Sequence, residues 1–423
     1  MSGPLQTAEV IAVGSELLGS TRLDTNSLWI SDQLARVGIE LKGKSVVGDD
    51  RARLGTVFSQ ALARVDLVVS SGGLGPTDDD LTREAVADAL GLALVEDPVI
   101  TERIRQRFER RGLQMPEVNR RQARLPSGGT WVPNPHGSAP GLVIPHRDKL
   151  IVMLPGPPRE LQAMLTALCA PDGAIGRRAG VSRLYKVSLF TTGLSESHVE
   201  ERAQPLYSRW RDTAEPIETT ILATPGQVEI HLTMRSSDEQ HAMRVLGEAR
   251  ASLIAAIGEA VFTTDERRLP QVVGDMLRER RLTIAAAESC TGGLLLQRLT
   301  DVPGSSAYVR GGVVAYSNQL KVDLLGVEQS LLDGHGAVSE PVAAAMAEGL
   351  RARTGADVCV AITGIAGPDG GTLEKPVGTV VIAVLFDAHP LFVRTHLFPG
   401  GREMVRLQST QAALDRVRRM LMG

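Results

Sequence analysis

Two short apolar runs, residues 67–70 (LVVS) and 282–286 (LTIAA), each break into a glycine-rich turn that leads toward a helical pattern. A buried strand, a tight turn and a helix start form the repeating unit of α/β sheets. The unit exposes the side chains of the turn at the carboxyl edge of the sheet. The two units lie far apart in a chain of 423 residues, which exceeds one ordinary hydrophobic core, so at least two α/β domains are expected. A hydrophobic content of 43% with 22% charged residues is that of a soluble globular protein. A net charge of −3 and an aromatic content of 3% argue against a dominant nucleic-acid surface, since neither phosphate neutralisation nor base stacking has much material to work with. The three cysteines, Cys169, Cys290 and Cys359, are far apart, have no metal-ligand spacing and cannot all pair, which suits a reducing cytoplasm. No run approaches membrane-spanning length, and the N-terminus lacks a basic stretch followed by an apolar one, so no membrane association is expected.

Along residues 9–168, strand candidates (10–13, 39–47, 67–70, 149–154) alternate with helical ones (26–37, 53–64, 82–90), which predicts a parallel sheet covered on both faces. Between residues 182 and 262 the order changes to βαββα, with a hairpin around Thr224-Pro225-Gly226. A charged linker follows at 263–270. Strand–helix alternation then resumes, with strands at 282–286, 309–316, 358–363 and 378–386 and a helix from Thr291. The expected fold class is therefore α/β: two three-layer α/β domains, residues 1–175 and 263–423, flanking a small α+β module at 176–262.

The first glycine-rich turn, Ser71-Gly72-Gly73-Leu74-Gly75-Pro76-Thr77, suits close approach of backbone N–H groups to an oxyanion. Asp78-Asp79-Asp80 follows at once. Carboxylates beside a phosphate cradle repel an anionic ligand unless a divalent cation lies between them, so the pattern suggests metal-assisted chemistry on a phosphate ester or anhydride. Asp49 and Asp50 close the preceding strand and can reach the same edge. The alternative is that Asp78 or Asp79 only caps the helix at Thr82.

The second turn, Ala287-Glu288-Ser289-Cys290-Thr291-Gly292-Gly293, offers two nucleophiles, Ser289 and Cys290, beside unpaired N–H groups of the following helix. Lys321 falls about one turn into a helix starting near Ser317-Asn318. A buried lysine loses its charge readily and then serves as a general base. Gly364 to Gly371, with Thr363 at its entrance, is a second glycine-rich loop. Arg402 and Arg406 open the last helix and could close on a phosphate. His335 and His396 lack a surrounding pattern that would make a triad.

The stretch GGLGPTDDDLT at 72–82, with Val13-Gly14-Ser15-Glu16-Leu17-Leu18, Ser138-Ala139-Pro140-Gly141 and Pro155-Gly156-Pro157-Pro158-Arg159-Glu160, resembles the MogA-like molybdopterin-binding domain of CinA proteins. AESCTGG at 287–293, Gly304-Ser305-Ser306, Tyr316-Ser317-Asn318 with Lys321, and the loops at 336–341, 364–371 and 375–379 resemble the nicotinamide mononucleotide deamidase domain of the same family. The middle module is similar to the KH-type domain between them. It carries no GxxG loop, so a spacer or dimer contact is expected rather than RNA binding. The resemblance implies a deamidase with Ser289 as nucleophile rather than Cys290, Lys321 as base, and Tyr316 and Ser306 as orienting groups. Thr291, Gly292, Gly293, Thr363, Gly364, Gly367, Arg402 and Arg406 would hold the substrate, with no cofactor. It also implies a metal-dependent ADP-ribose pyrophosphatase site, with Asp49, Asp79 and Asp80 at the divalent metal ion and Gly72, Gly73, Gly75 and Thr77 around phosphate. The expected partners are these small nucleotides and a second copy of the chain in a homo-oligomer, a dimer. Two alternatives stay open: activity in the N-terminal domain only, or a non-catalytic adaptor in competence or the response to DNA damage.

Overall fold

The computed structural model describes residues 3–387 and 389–423. The chain divides into two compact units. One runs to Tyr185 and takes in Arg235–Ala242; the other holds Lys186–Met234 and Met243–Gly423. The fold is mixed α/β throughout.

In the first unit the strands Glu40–Val47, Thr7–Val13, Leu67–Ser71 and Lys149–Leu154 are parallel neighbours in that order. Every residue of Leu67–Ser71 is buried, as a central parallel strand covered on both faces requires. Alternate side chains feed two cores. Ile11, Val13 and Val68 meet Leu54 and Phe58 on one face, while Ala8, Val10 and Val69 meet Ile30, Leu34 and Leu161 on the other. The sheet is not wholly parallel, as the alternation predicted. Gly141–His146 and Thr130–Val132 extend it antiparallel at the far edge. The cause is local. Only Arg147 and Asp148 separate Gly141–His146 from Lys149–Leu154, too short a connection for a crossover, and Arg147 takes a positive φ of 57° to make the turn.

The second unit holds a five-stranded sheet in the order Val309–Val314, Ile284–Glu288, Val358–Gly364, Thr379–Phe386, Phe392–Leu397. The first three strands are parallel and the last two antiparallel. Ile284 and Ala286 face one core and Ala285 and Ala287 the other, so helices cover both faces here too. The βαββα segment forms a four-stranded sheet, Glu218–Thr224, Gln227–Ser236, Arg183–Thr192, Val261–Thr263. Its last strand is three residues long and was hidden in what the sequence marks as the approach to a linker. In this unit the helix Arg402–Met422 lies against the core below the five-stranded sheet, and its Gln411 reaches the Thr192 hydroxyl.

Phe58 is fully buried between the first sheet and its helices. Phe58→Ala should therefore cost about 3–5 kcal/mol, read as a lower denaturant midpoint for the first unit. A cost below about 1 kcal/mol would mean that this core is not packed as described.

Candidate active sites

The strand Ile284–Glu288 ends two residues later than the apolar run suggests, so Ser289 is the first residue beyond it. Ser289 donates its N–H to Ile362 O at 2.9 Å, which holds it against the neighbouring strand. The helix that follows spans Leu294–Thr300 rather than starting at Thr291, because Gly292 and Gly293 take positive φ values of 58° and 93° and keep the chain in a turn. The N–H groups at this helix start are not open to a substrate, contrary to the expectation from sequence. The fully buried carboxylate of Glu288 accepts from Gly293 N (3.1 Å), Leu295 N (3.0 Å) and Leu296 N (2.9 Å). Among the described residues, the N–H groups of Cys290 and Thr291 find no backbone acceptor, and the buried Thr291 hydroxyl has no hydrogen-bond partner.

Lys321 lies on the helix Asn318–Leu325, whose start is fixed by the Ser317 hydroxyl accepting from Leu320 N. Its side chain is 1% exposed. The amine is 3.3 Å from Ser289 Oγ, 3.1 Å from Ala315 O and 3.4 Å from Tyr316 O, and no carboxylate pairs with it among the described residues. Desolvation lowers its pKa below the ordinary 10.5. Cys290 is in the opposite condition. Burial pushes its thiol up to about 12, with the Glu288 charge adding to the effect, so it is not a thiolate near neutral pH. It packs instead against Gly364, where an added Cβ would come within 3.0 Å of its sulfur.

Arg402 donates to Gly367 O at 2.7 Å and to the Tyr316 hydroxyl at 3.0 Å, while Arg406 donates to Thr291 O at 2.7 Å. The two arginines thus join the last helix to the serine turn and to the loop after Val358–Gly364. Thr363 is turned away: its hydroxyl donates to Ala337 O at 2.8 Å. Ser306 is not brought to the pair within the chain. It lies in the turn Ser305–Ala307, ahead of the strand Val309–Val314, whose first residue pairs with Ile284 and whose last pairs with Glu288. Ser306 is therefore at the amino edge of this sheet and Ser289 at the carboxyl edge.

In the first unit, Gly72, Gly73, Gly75, Asp49, Asp79 and Asp80 line one cavity of about 370 Å³. Glu16 and Glu160 join them, from the turn after Thr7–Val13 and from the helix Pro158–Cys169. Both belong to motifs that carry the family resemblance, but the sequence assigns neither a role at the site. Gly72 has a φ of 108°, and a Cβ there would stand 2.2 Å from Val13 O; at Gly75 it would stand 2.3 Å from an Asp80 oxygen. Thr77 does not line the cavity. Its N–H and hydroxyl donate to Asp80 Oδ2 at 3.0 and 2.5 Å, fixing that carboxylate. Asp49 Oδ2 accepts from Ser15 N at 2.8 Å. Neither Asp78 nor Asp79 caps the helix Thr82–Leu90; Asp78 pairs with Arg121 at 2.8 Å, and Asp50 caps the helix Arg51–Arg64. Beneath the loop, Arg83 is 1% exposed and donates to Leu74 O and Gly75 O at 2.8 and 2.7 Å, with burial lowering its pKa to about 10. Among the described residues no three acidic, histidine or cysteine side chains converge closely enough to hold an ion by themselves. The carboxylates fit a divalent ion only as one shared with the phosphate oxygens of a ligand, the usual arrangement for Mg²⁺.

The chain thus carries a glycine–carboxylate cavity on one α/β sheet and a serine–lysine pair on another. Residues 266–421 match the family described as CinA C-terminal domain, and residues 9–173 match the family described as "Probable molybdopterin binding domain". A CinA-like protein from Koribacter versatilis is 45% identical over 98% of this chain and 99% of its own. A protein of Symbiobacterium thermophilum named for competence-damage induction is also 45% identical, over 98% of this chain and 99% of its own. The solved structure of the protein CinA from Thermoplasma acidophilum is 36% identical and covers 38% of this chain and 96% of its own, with a TM-score of 0.37. The chain belongs to the CinA family. Among the described residues no helix is long and apolar enough to cross a membrane.

The state of Cys290 is checked by alkylation. At pH 8 iodoacetamide should leave Cys290 unmodified in the folded chain and label it once the chain is unfolded in denaturant. Labelling of folded Cys290 within minutes, seen by mass spectrometry, would place a thiolate at the turn.

Proposed function

We propose that the C-terminal site is an amidase that converts nicotinamide mononucleotide to nicotinic acid mononucleotide and ammonia. The observation that carries this reading is the buried Lys321 amine 3.3 Å from Ser289 Oγ at the carboxyl end of a strand. The neutral amine takes the hydroxyl proton as Ser289 Oγ bonds to the carboxamide carbon. The N–H groups of Cys290 and Thr291, which follow the nucleophile on the turn, stabilise the oxyanion. Collapse expels ammonia with the proton returned by Lys321, and water then cleaves the acyl-serine by the same route in reverse. Arg402 and Arg406 support recognition of the substrate phosphate.

In this reading the N-terminal cavity hydrolyses the pyrophosphate of ADP-ribose. A divalent ion held by Asp49, Asp79 and Asp80 together with ligand phosphates would supply charge neutralisation there. The glycine loop, held by Arg83, presents its amides to the phosphates. The pairing of a cavity lined by glycine amides with five carboxylates favours this over a purely adaptor role.

Ammonia release from nicotinamide mononucleotide should fall at least about 10³-fold in Ser289→Ala and in Lys321→Met, and stay near wild type in Cys290→Ala. Activity should rise with pH along a limb set by Lys321, lying below the ordinary lysine range, because only the neutral amine is a base. The same group should make folding stability rise with pH between its lowered folded pKa and about 10.4, where the unfolded chain binds a proton that the native chain does not; Lys321→Met removes that slope. A fully active Lys321→Met would refute the pairing.

For the N-terminal site, AMP release from ADP-ribose should require a divalent cation, vanish on chelation, and fall at least about 10²-fold in Asp80→Asn while Ser289→Ala leaves it intact. Hydrolysis that persists in excess chelator would overturn the metal-assisted reading.

A further inference from the structure

A second cavity, of about 230 Å³, adjoins the glycine–carboxylate cavity, and Ser138 lines both. Its character is the reverse of its neighbour's. Arg103 and Arg107, one turn apart on the helix Pro98–Glu109, and Arg110 at the C-terminal cap of that helix line it together with Trp131 and Asn134. None of the three arginines pairs with a carboxylate among the described residues, whereas Arg105 on the same helix pairs with Glu102. Three guanidinium groups around so small a volume repel one another, and a multiply charged anion among them relieves the repulsion. Two of the three are also held in place. The Arg103 guanidinium lies over the Trp131 ring, 5.5 Å from its centre, and Arg107 donates to His136 O. The wall between the cavities is rigid. The buried Asn134 accepts from His136 N and Gly137 N and donates to Ala139 O (2.8 Å) and to Glu160 Oε2 (2.6 Å), and Glu160 lines the first cavity.

We infer that this cavity binds the nucleoside end of the ligand whose pyrophosphate lies in the first cavity, and selects for a monoester phosphate carried there. The ligand class is an ADP-ribose-type pyrophosphate bearing a further phosphate on the 2′-hydroxyl of its adenosine. Three arginines match a phosphate dianion, which accepts bidentate hydrogen bonds from guanidinium groups, and the Trp131 ring and Arg103 guanidinium that line the cavity are planar groups able to pack on the adenine. The inference rests on the pyrophosphate reading of the first cavity.

The test uses the full chain and probes that are not turned over: adenosine 2′,5′-bisphosphate and AMP for the second cavity, and inorganic pyrophosphate with Mg²⁺ for the first, each titrated by calorimetry. The bisphosphate should bind about tenfold or more tightly than AMP, the worth of one charge-assisted contact. Arg103→Gln with Arg110→Gln should abolish that preference and leave pyrophosphate affinity within about twofold of wild type, and the pair of lysine substitutions should retain part of the preference. Equal affinities of wild type for the two adenosine phosphates, or a preference that survives the glutamine pair, overturns the inference. If pyrophosphate binds while no preference exists, only this inference falls. If neither pyrophosphate nor ADP-ribose binds, the reading of the first cavity falls with it.

Discussion

The serine site depends on one buried carboxylate. Glu288 is the last residue of its strand, and its two oxygens take three N–H groups from Gly293, Leu295 and Leu296. A helix start normally leaves such donors to solvent, a capping side chain or a ligand. Here an acid from the preceding strand supplies the acceptors, so strand end and helix start are tied across a turn of five residues, 289–293, and the turn is set by both. Ser289 has little freedom between them, and its hydroxyl is presented toward Lys321. The same bonds have a cost in electrostatics. The positive end of the helix is already neutralised by Glu288, so any stabilisation of an oxyanion falls to the turn's own amides rather than to the helix dipole.

The two sheets place their sites at corresponding edges and equip them with different buried cations. Under the glycine loop of the first unit the cation is a guanidinium, Arg83, bonded to Leu74 O and Gly75 O. A guanidinium keeps its proton and binds through a planar fork, which suits holding a loop shape. Beside Ser289 the cation is an amine, which burial can strip of its charge. The choice of arginine in one place and lysine in the other separates a scaffold from a group able to move a proton.

Much of this was readable in the sequence because the signals were local. The strands Leu67–Ser71 and Val358–Gly364 and the helix Thr82–Leu90 follow from apolar runs bounded by glycine. The proximity of Ser289 and Lys321 follows from two neighbouring strands that end at one edge, Glu288 pairing with Val314. What escaped depended on contacts between distant segments. Glu16 and Glu160 have no evident role in their motifs until three strand ends converge on one cavity. Glu288 reads as one more residue of the turn until the strand runs on to include it and the glycines at 292 and 293 turn the helix amides back onto it. The antiparallel edge rests on a two-residue turn at Arg147, a residue type with no preference for positive φ. Ser306, which the family resemblance implies as an orienting group, lies within this chain at the opposite edge of the sheet from Ser289, a placement that no local sequence signal indicates.

The surroundings of the Lys321 amine can finally be read as a count of hydrogens. Two of its three neighbours, Ala315 O and Tyr316 O, are carbonyls that only accept, whereas the third, Ser289 Oγ, can accept or donate. An uncharged amine has two hydrogens and one lone pair, and this set of neighbours suits it: the hydrogens go to the carbonyls and the lone pair is left for the serine hydroxyl. A charged amine has a third hydrogen, and the serine must then turn its own hydrogen elsewhere. On the proposed amidase reading, one proton on Lys321 decides which way the Ser289 hydroxyl points, and the pair is a latch with two positions rather than a base standing beside an independent nucleophile.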